Sequence, residues 1–414
     1  MSKLPNHWVL KTFSEIAERK KHAIVDGPFG TQMKVHEFVN EGIPLIEMQN
    51  LRNDTFNPLF RRYITKNKFK ELERSQIKPR DIIISKTGTL GLVAIVPDEL
   101  ELAIITSRLA KLSLDTSLVN LNYVYYYLIF LRETNYWENI AKGTTMKILT
   151  ISDISQSKIP LPQSTQEQTK IVEEIEKQFT RLDESIKSLR AGKDKLEIYG
   201  KSVLKAAFEG NKFWNEKILQ DVCEKITDGA HYTPKYVDKG YPFITVKNRK
   251  NNRLDFKNVN YISEDDYVKL RNNDCNPKKG DVLFSKDGTV GEVIKIDYSR
   301  EFIVLSSWAI LRPKKEINQD YLYWLMKSPN VLYQSINLKT GTAIRRIILR
   351  NLKTVKIKYP LDIEEQKQIV QEIESRFSVI DKLEQTVYAS LDKAEQLRKS
   401  ILKSAFEGKL VKGG

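Results

Sequence analysis

Cysteine is nearly missing from this 414-residue chain: Cys223 and Cys275 are its two. They offer no disulfide framework and no zinc quartet. Histidine is almost as sparse, and His7, His22, His36 and His231 show no metal-site spacing. No apolar run approaches the roughly 20 residues needed to cross a bilayer. Met1 to Leu10 lack the apolar centre of a secretory signal. These absences point to a cytoplasmic protein with no metal of its own and no membrane association.

What the chain has in excess is positive charge. Its formal net charge is +15, with 41% hydrophobic and 29% charged residues. That balance supports ordinary buried cores, and it favours an anionic partner, for which nucleic acid is the commonest choice. The length suits two to three domains.

The sequence is written twice. Ser85-Lys86-Thr87-Gly88-Thr89-Leu90-Gly91 returns 200 residues later as Ser285-Lys286-Asp287-Gly288-Thr289-Val290-Gly291. Gly42-Ile43-Pro44-Leu45-Ile46 matches Gly240-Tyr241-Pro242-Phe243-Ile244 at an offset of 198, as Tyr123-Val124-Tyr125-Tyr126 matches Tyr321-Leu322-Tyr323-Trp324. Glu167 to Gly210 aligns without a gap to Glu365 to Gly408, with 21 of 44 positions identical. A duplicated unit of this size means two similar halves rather than a solenoid.

Each half has a mixed part followed by one long helix. The helices open on Ser164 and Asp362 as N-caps, with Glu167 and Glu365 three residues on as capping-box partners. They close on Gly210 and Gly408, placed for the left-handed C′ position. Between these signals Ile175, Phe179, Leu182, Ile186, Leu189, Leu196 and Val203 step at heptad spacing, as do Ile373, Phe377, Ile380, Val387, Leu391, Ala394 and Ile401. Matched heptad phase favours an intramolecular antiparallel pair over a homodimer zipper or a solvated tail.

The mixed parts carry strand signals at Asp81 to Ser85 and Asp281 to Ser285, at Leu92 to Val96 and Val293 to Ile296, and at Ala103 to Ile105 and Phe302 to Leu305. Tyr123 to Leu131 and Tyr321 to Met326 read as aromatic-rich helices whose tyrosines belong to the core. The expected fold class is α/β: two pseudo-symmetric α/β domains separated by two long antiparallel coiled-coil helices. The expected boundaries are 1–160, 161–210, 211–358 and 359–414. Arg52 to Ile82 and Lys250 to Val282 diverge strongly, as two recognition modules with different targets would.

Catalytic signatures are weak. Asn57-Pro58-Leu59-Phe60 is close to an amino-methyltransferase motif, but its third position is wrong and no Gly-rich cofactor strand accompanies it. Asn-Pro is a common turn pair. Pro97-Asp98 is followed by no nuclease lysine, and Gly88 and Gly288 sit in no Walker loop. The expectation is a chain without an active site.

This layout of domain, long helix, domain, long helix resembles the specificity subunits of type I restriction–modification systems. The resemblance covers nearly the whole chain. It rests also on Ile159-Pro160-Leu161-Pro162 with Glu167-Gln168-Thr169-Lys170-Ile171-Val172, repeated as Tyr359-Pro360 with Glu365-Gln366-Lys367-Gln368-Ile369-Val370. The Ser-Lys-x-Gly-Thr-x-Gly loops, Asp26-Gly27-Pro28-Phe29-Gly30 and Asp228-Gly229-Ala230-His231-Tyr232-Thr233-Pro234 add to it. It implies that each domain is a target-recognition domain reading half of a bipartite site in double-stranded DNA. The helix pair would set the spacer. Two adenine-methyltransferase subunits would bind the chain, with restriction and translocase subunits as further partners. S-adenosylmethionine, ATP and Mg would belong to those partners and not to this chain. Lys358-Tyr359-Pro360 departs from the Pro-Leu-Pro of the family pattern.

For DNA phosphates the sequence nominates Lys86, Lys142, Lys147, Lys286, Arg345 and Arg346, on or near glycine loops. Thr89 and Thr289 share two of those loops. For base edges it nominates Gln49, Asn50, Arg52, Lys247, Asn248 and Arg249, whose amide and guanidinium groups fit adenine and guanine. His231 and Thr233 are candidates for the DNA face or for packing and capping. The Ser-Lys-x-Gly-Thr-x-Gly loops fit either a phosphate contact or a tight turn kept for the fold. A coiled-coil scaffold that binds only protein, and a stand-alone DNA-binding regulator, remain as rival functions.

Overall fold

The computed structural model describes all residues except 1–3, 31, 145, 210–212, 251, 338, 341–345 and 412–414. By contacts the chain forms two units, residues 1–188 with 389–414, and residues 189–388. Each holds one α/β domain and part of both long helices.

Each domain is closed by its own first and last strands. Trp8–Thr12 pairs antiparallel with Lys158–Pro162, and Asn215–Ile218 pairs antiparallel with Lys356–Tyr359. A long helix starts directly after each closing strand.

Inside the first domain lies an antiparallel sheet ordered Ile24–Asp26, Leu109–Leu112, Ile82–Ser85, Val93–Ile95. A second sheet is ordered Tyr63–Ile64, Ile43–Ile46, Ala103–Ile105, Gln76–Ile77, and its central pair is parallel. The second domain repeats the antiparallel sheet and the parallel pair. Its antiparallel sheet runs Cys223–Asp228, Trp308–Pro313, Val282–Ser285, Val293–Lys295, and Tyr241–Ile244 pairs parallel with Ile303–Val304. Ile82, Ile83, Val282, Leu283 and Phe284 are fully buried, as strands covered on both faces should be.

Helix α1, Leu121–Glu133, buries Tyr123 and Tyr127. Tyr123 is fully buried and donates to the Pro160 carbonyl at 2.8 Å. Helix α2 is Thr165–Phe208, α3 is Gln319–Met326 and α4 is Ile363–Phe406. Tyr321 of α3 donates to the Lys358 carbonyl, the same bond in the second copy. A buried donor satisfied in this way is structural, which agrees with a core role for the tyrosines.

The starts of the long helices repeat in detail. Gln168 and Gln366 are buried. Gln168 accepts from the Asn120 backbone at 2.7 Å and donates to the Pro162 carbonyl at 3.1 Å. Gln366 accepts from the Asn318 backbone at 2.8 Å and donates to the Pro360 carbonyl at 2.9 Å. Asn120 and Asn318 in turn cap α1 and α3. One carboxamide therefore ties each long helix to its domain. Asp362 accepts from the Glu364 backbone as an N-cap. Glu167 and Glu365, expected as capping-box partners, accept the indole N–H of Trp8 and Trp214, each at 2.9 Å. Gly408 takes the left-handed conformation with φ of 70°. Gly210 lies outside the described residues.

The helices run antiparallel within each unit. In the first, Ile175 of α2 shares a core with Ile401 and Leu402 of α4, while Asp183, further along α2, meets Arg398, further back in α4. In the second, the Lys193 ammonium lies 4.8 Å from the Tyr388 ring, Gly200 faces Phe377, and Leu204 joins the core of Ile373. The seam is tightest next to each domain, where Ile175 and Ile373 are fully buried. Ile186, Leu189, Val387 and Leu391, mid-helix, are half-buried.

Candidate nucleic-acid interface

The site is built from loops at the ends of buried strands. After Ile82–Ser85 the chain turns through Gly88 and Gly91, with φ of 72° and 75°, conformations that glycine adopts without strain. Ser85 Oγ donates to the Thr89 carbonyl and accepts from the Leu92 backbone at 2.8 Å. Ser285 does the same with Thr289 and Glu292. The turn thus holds itself in shape, and Thr89 and Thr289 sit exposed at its tip.

Lys86 and Lys286 point inward. The Lys86 side chain is 5% exposed, and its ammonium lies 2.6 Å from Asp26. Arg74 binds the other oxygen of Asp26 at 3.0 Å. Lys286 pairs with Asp228 in the same way and is equally buried. The two motifs of each copy are therefore joined, the aspartate of Asp-Gly to the lysine of Ser-Lys. Gly27 and Gly229 have no room for a side chain: an added Cβ would stand 2.2 Å from the Ile105 and Val304 carbonyls. These lysines were nominated for phosphates, but their location makes them supports inside the loops. A burial penalty for unpaired charge explains the pairing.

A second loop is stitched to the first. Lys142 and Ile148 exchange backbone hydrogen bonds, and the Leu149 backbone donates to the Lys86 carbonyl at 3.0 Å. Lys142 and Lys147 are both exposed, and Lys147 reaches the Glu138 carbonyl at 2.7 Å. In the second domain Ile347 donates to the Lys286 carbonyl at 3.0 Å. Arg346 next to it is in a short strand, but its side chain lies outside the described residues, as does Arg345.

The asparagines nominated for bases are also partly structural. Asn50 is fully buried. Its oxygen accepts from the Glu47 backbone at 2.8 Å, and its amide donates to the Asn57 and Leu59 carbonyls. Asn248, half-exposed, repeats this with Thr245 and Asn258. Each fixes a turn and holds up the residue before it. Those neighbours differ: Gln49 in one copy and Lys247 in the other.

Two concave surfaces result. In the first domain a groove of about 480 Å³ is lined by Gln49, Glu47, Arg62 and Arg108 over an apolar floor that includes Met48 and Phe38. Arg62 pairs with Glu47 and lies 4.7 Å from the Phe38 ring. In the second a groove of about 570 Å³ brings Lys247 and Arg249 together with Thr289 and Glu292, and Arg249 pairs with Glu292. Arg52 is exposed on a short hairpin, Leu51–Arg52 with Thr55–Phe56. His231 lies 3.5 Å from Asp228, with 74% of its side chain exposed, and Thr233 is exposed nearby.

The sequence reading missed Arg62, Glu47, Arg108 and Glu292. No repeat marks them, because they lie where the copies diverge. The aspartates that pair with the loop lysines did carry a signal, since Asp-Gly occurs at the same station in both halves. Burial without full compensation pushes the Lys111 pKa down, with Asp81 opposing; its ammonium donates to the Gln76 carbonyl.

The family model for the type I restriction modification DNA specificity domain matches residues 11–192 and again 211–393. The chain belongs to that family. It is 22% identical over 414 residues to the EcoBI type I restriction enzyme specificity subunit of Escherichia coli, covering 92% of this chain and 83% of that one. It is 20% identical to the EcoKI specificity subunit of E. coli K12, covering 99% and 90%. Among solved structures, a chain described under complex assembly and conformational transition of the type I R-M system superposes with a TM-score of 0.74 at 17% identity, over 99% of this chain and 100% of that one. The HsdS subunit of Thermoanaerobacter tengcongensis superposes at 0.58 and 19% identity, over 98% of each. These likenesses establish the fold: two specificity domains with two long helices. Among the described residues, no helix of this specificity-family chain is long and apolar enough to cross a membrane.

Proposed function

We propose that the chain is the DNA-specificity subunit of a type I restriction–modification enzyme and reads a two-part DNA sequence, one part per domain. One observation carries this reading. The two family domains share buried supports, Lys86 with Asp26 and Lys286 with Asp228, while the exposed side chains around them differ. A common scaffold bearing unlike polar surfaces suits two unlike half-sites.

Phosphate contacts fall to exposed cations such as Lys142 and Lys147, and base reading to Gln49 and Arg52 in one domain and Lys247 and Arg249 in the other. The chain itself carries no catalysis. Two adenine-methyltransferase subunits hold S-adenosylmethionine, and restriction subunits use ATP and Mg. The antiparallel helices set the spacer and offer the partner surface. Exposed Ile198, Val379 and Leu383 on those helices suit protein contact.

The test is affinity for DNA against salt, with methyltransferase subunits present. Counterion release predicts a steep linear fall in log affinity with log salt. No binding, or a flat response, would support a protein-only scaffold. Methyl transfer by the purified chain alone would contradict the non-catalytic assignment.

A further inference from the structure

The duplication lets the two units be compared side chain by side chain, and at one station they differ. In the first unit the Arg398 guanidinium lies 4.4 Å from the centre of the Phe179 ring and pairs with Asp183. Tyr126 packs edge-on to Phe179 at 5.8 Å, and its hydroxyl is 3.4 Å from Glu176. A planar cation is thus held on an aromatic face beside carboxylates, an arrangement that suits arginine better than lysine.

Moving 198 residues along, every wall of this site returns. Phe179 becomes Phe377, Asp183 becomes Asp381, Glu176 becomes Glu374 and Tyr126 becomes Trp324. The arginine does not return. The position matching Arg398 is Gly200. Phe179 is buried, but Phe377, without that cover, is half-buried. In the second unit an open groove of about 750 Å³ remains, lined by Gly200, Trp324, Phe377, Glu374 and Asp381. The Trp324 and Phe377 rings stand 4.7 Å apart at its wall. Among the described residues neither Glu374 nor Asp381 forms an ion pair, although Lys367 and Arg376 on the same helix both do. Lys327, half-buried on the lining, donates to the Tyr323 hydroxyl at 2.7 Å and stands 5.3 Å from the Trp324 ring, but among the described residues it forms no ion pair with Glu374 or Asp381. Lys201, also on the lining, pairs with Glu197 at 2.6 Å.

We propose that this groove receives an arginine side chain from a protein partner seated on the helices, stacked on Phe377 and paired with Asp381, as Arg398 is in the first unit. The inference rests on the reading of the chain as a subunit of a larger enzyme. Exposed Ile198, Tyr199, Val379 and Leu383 on the same helices give such a partner apolar contact. Two identical partner subunits would therefore meet two different surfaces, one already filled from within and one requiring their own arginine.

The experiment uses the full chain and its methyltransferase subunits. Gly200→Arg supplies the missing side chain in cis, and an added Cβ there meets Phe377 at 3.5 Å, an ordinary contact. Replacing a helical glycine by any residue but proline steadies the helix, so Gly200→Met is the control. In the isolated chain, Gly200→Arg should raise Tm by several degrees beyond Gly200→Met, and Asp381→Asn should remove that excess. In the complex, native mass spectrometry should show Gly200→Arg weakening one methyltransferase copy at least tenfold and leaving the other. Gly200→Met should weaken it much less. A Tm gain without loss of affinity would overturn the proposal, because no partner then uses the groove. Absence of the charge-dependent Tm gain would overturn it as well. If the wild-type chain binds no methyltransferase subunit, the functional reading fails first and this inference falls with it.

Discussion

The Lys86 ammonium and the Asp26 carboxylate stand 2.6 Å apart with both side chains buried. Lys286 and Asp228 repeat the pair. Removing one member of a buried pair strands the other charge, at a cost of about 3–5 kcal/mol. Lys286→Ala should therefore lower the stability of the second domain by that order in denaturant unfolding, and Lys86→Ala should lower that of the first by less, because Arg74 still holds the other oxygen of Asp26. A variant of normal stability with weakened DNA binding would return these lysines to the phosphate-contact role.

Gln49 stands at the rim of the first groove on a turn fixed by Asn50. A bidentate amide contact discriminates among bases by about 1–3 kcal/mol. Gln49→Ala should relax one base of one half-site and leave the other half-site intact. Sequencing of selected binding sites reads this out. A change in both halves would mean that Gln49 acts through the fold.

Lys247 and Arg249 share the second groove with Thr289. A base-edge contact discriminates among bases by about 1–3 kcal/mol. Alanine at each should lower affinity and relax a base of the second half-site while the first half-site persists. Unchanged affinity in both variants would remove this groove from the interface.

Gln168 ties α2 to the N-cap of α1 through the Asn120 backbone. Gln168→Leu orphans the buried Pro162 carbonyl, at about 1–3 kcal/mol, and the part-buried Asn120 N–H. Unfolding should show that loss, and hydrogen exchange should speed at Asn120 and Tyr123. Protection there equal to wild type would contradict the tie.

The helices, both domains and their repeat were legible in the sequence because periodicity and duplication are local or self-referential signals. Matched heptads at Ile175 and Ile373 showed the seam. The candidate side chains for DNA contact were harder to read. The glycine loops pointed to Lys86 and Lys286, and amide chemistry pointed to Asn50 and Asn248, yet these residues, identical between the copies, are shared supports. The distinguishing groups, Gln49, Arg62 and Arg249, lie where the copies differ. Only packing reveals that Arg62 joins Gln49 or that Thr289 joins Lys247. The roles of Glu167 and Glu365 followed the same lesson: local spacing suggested caps, and tertiary contact assigned them to Trp8 and Trp214.

If the helices act as a ruler, deleting Leu182 to Ser188 together with Ile380 to Thr386 shortens each by seven residues. The unspecified spacer should contract while both half-sites persist. Altered half-sites would show that the helices do more than set a distance.

The most direct measurement is a base-resolution map of methylated adenines in cells that express this chain together with the proposed methyltransferase subunits. The account predicts one motif in two specified parts divided by a fixed unspecified gap, with the first part alone changing when Gln49 is replaced. A single undivided motif, or methylation indifferent to this chain, would contradict it.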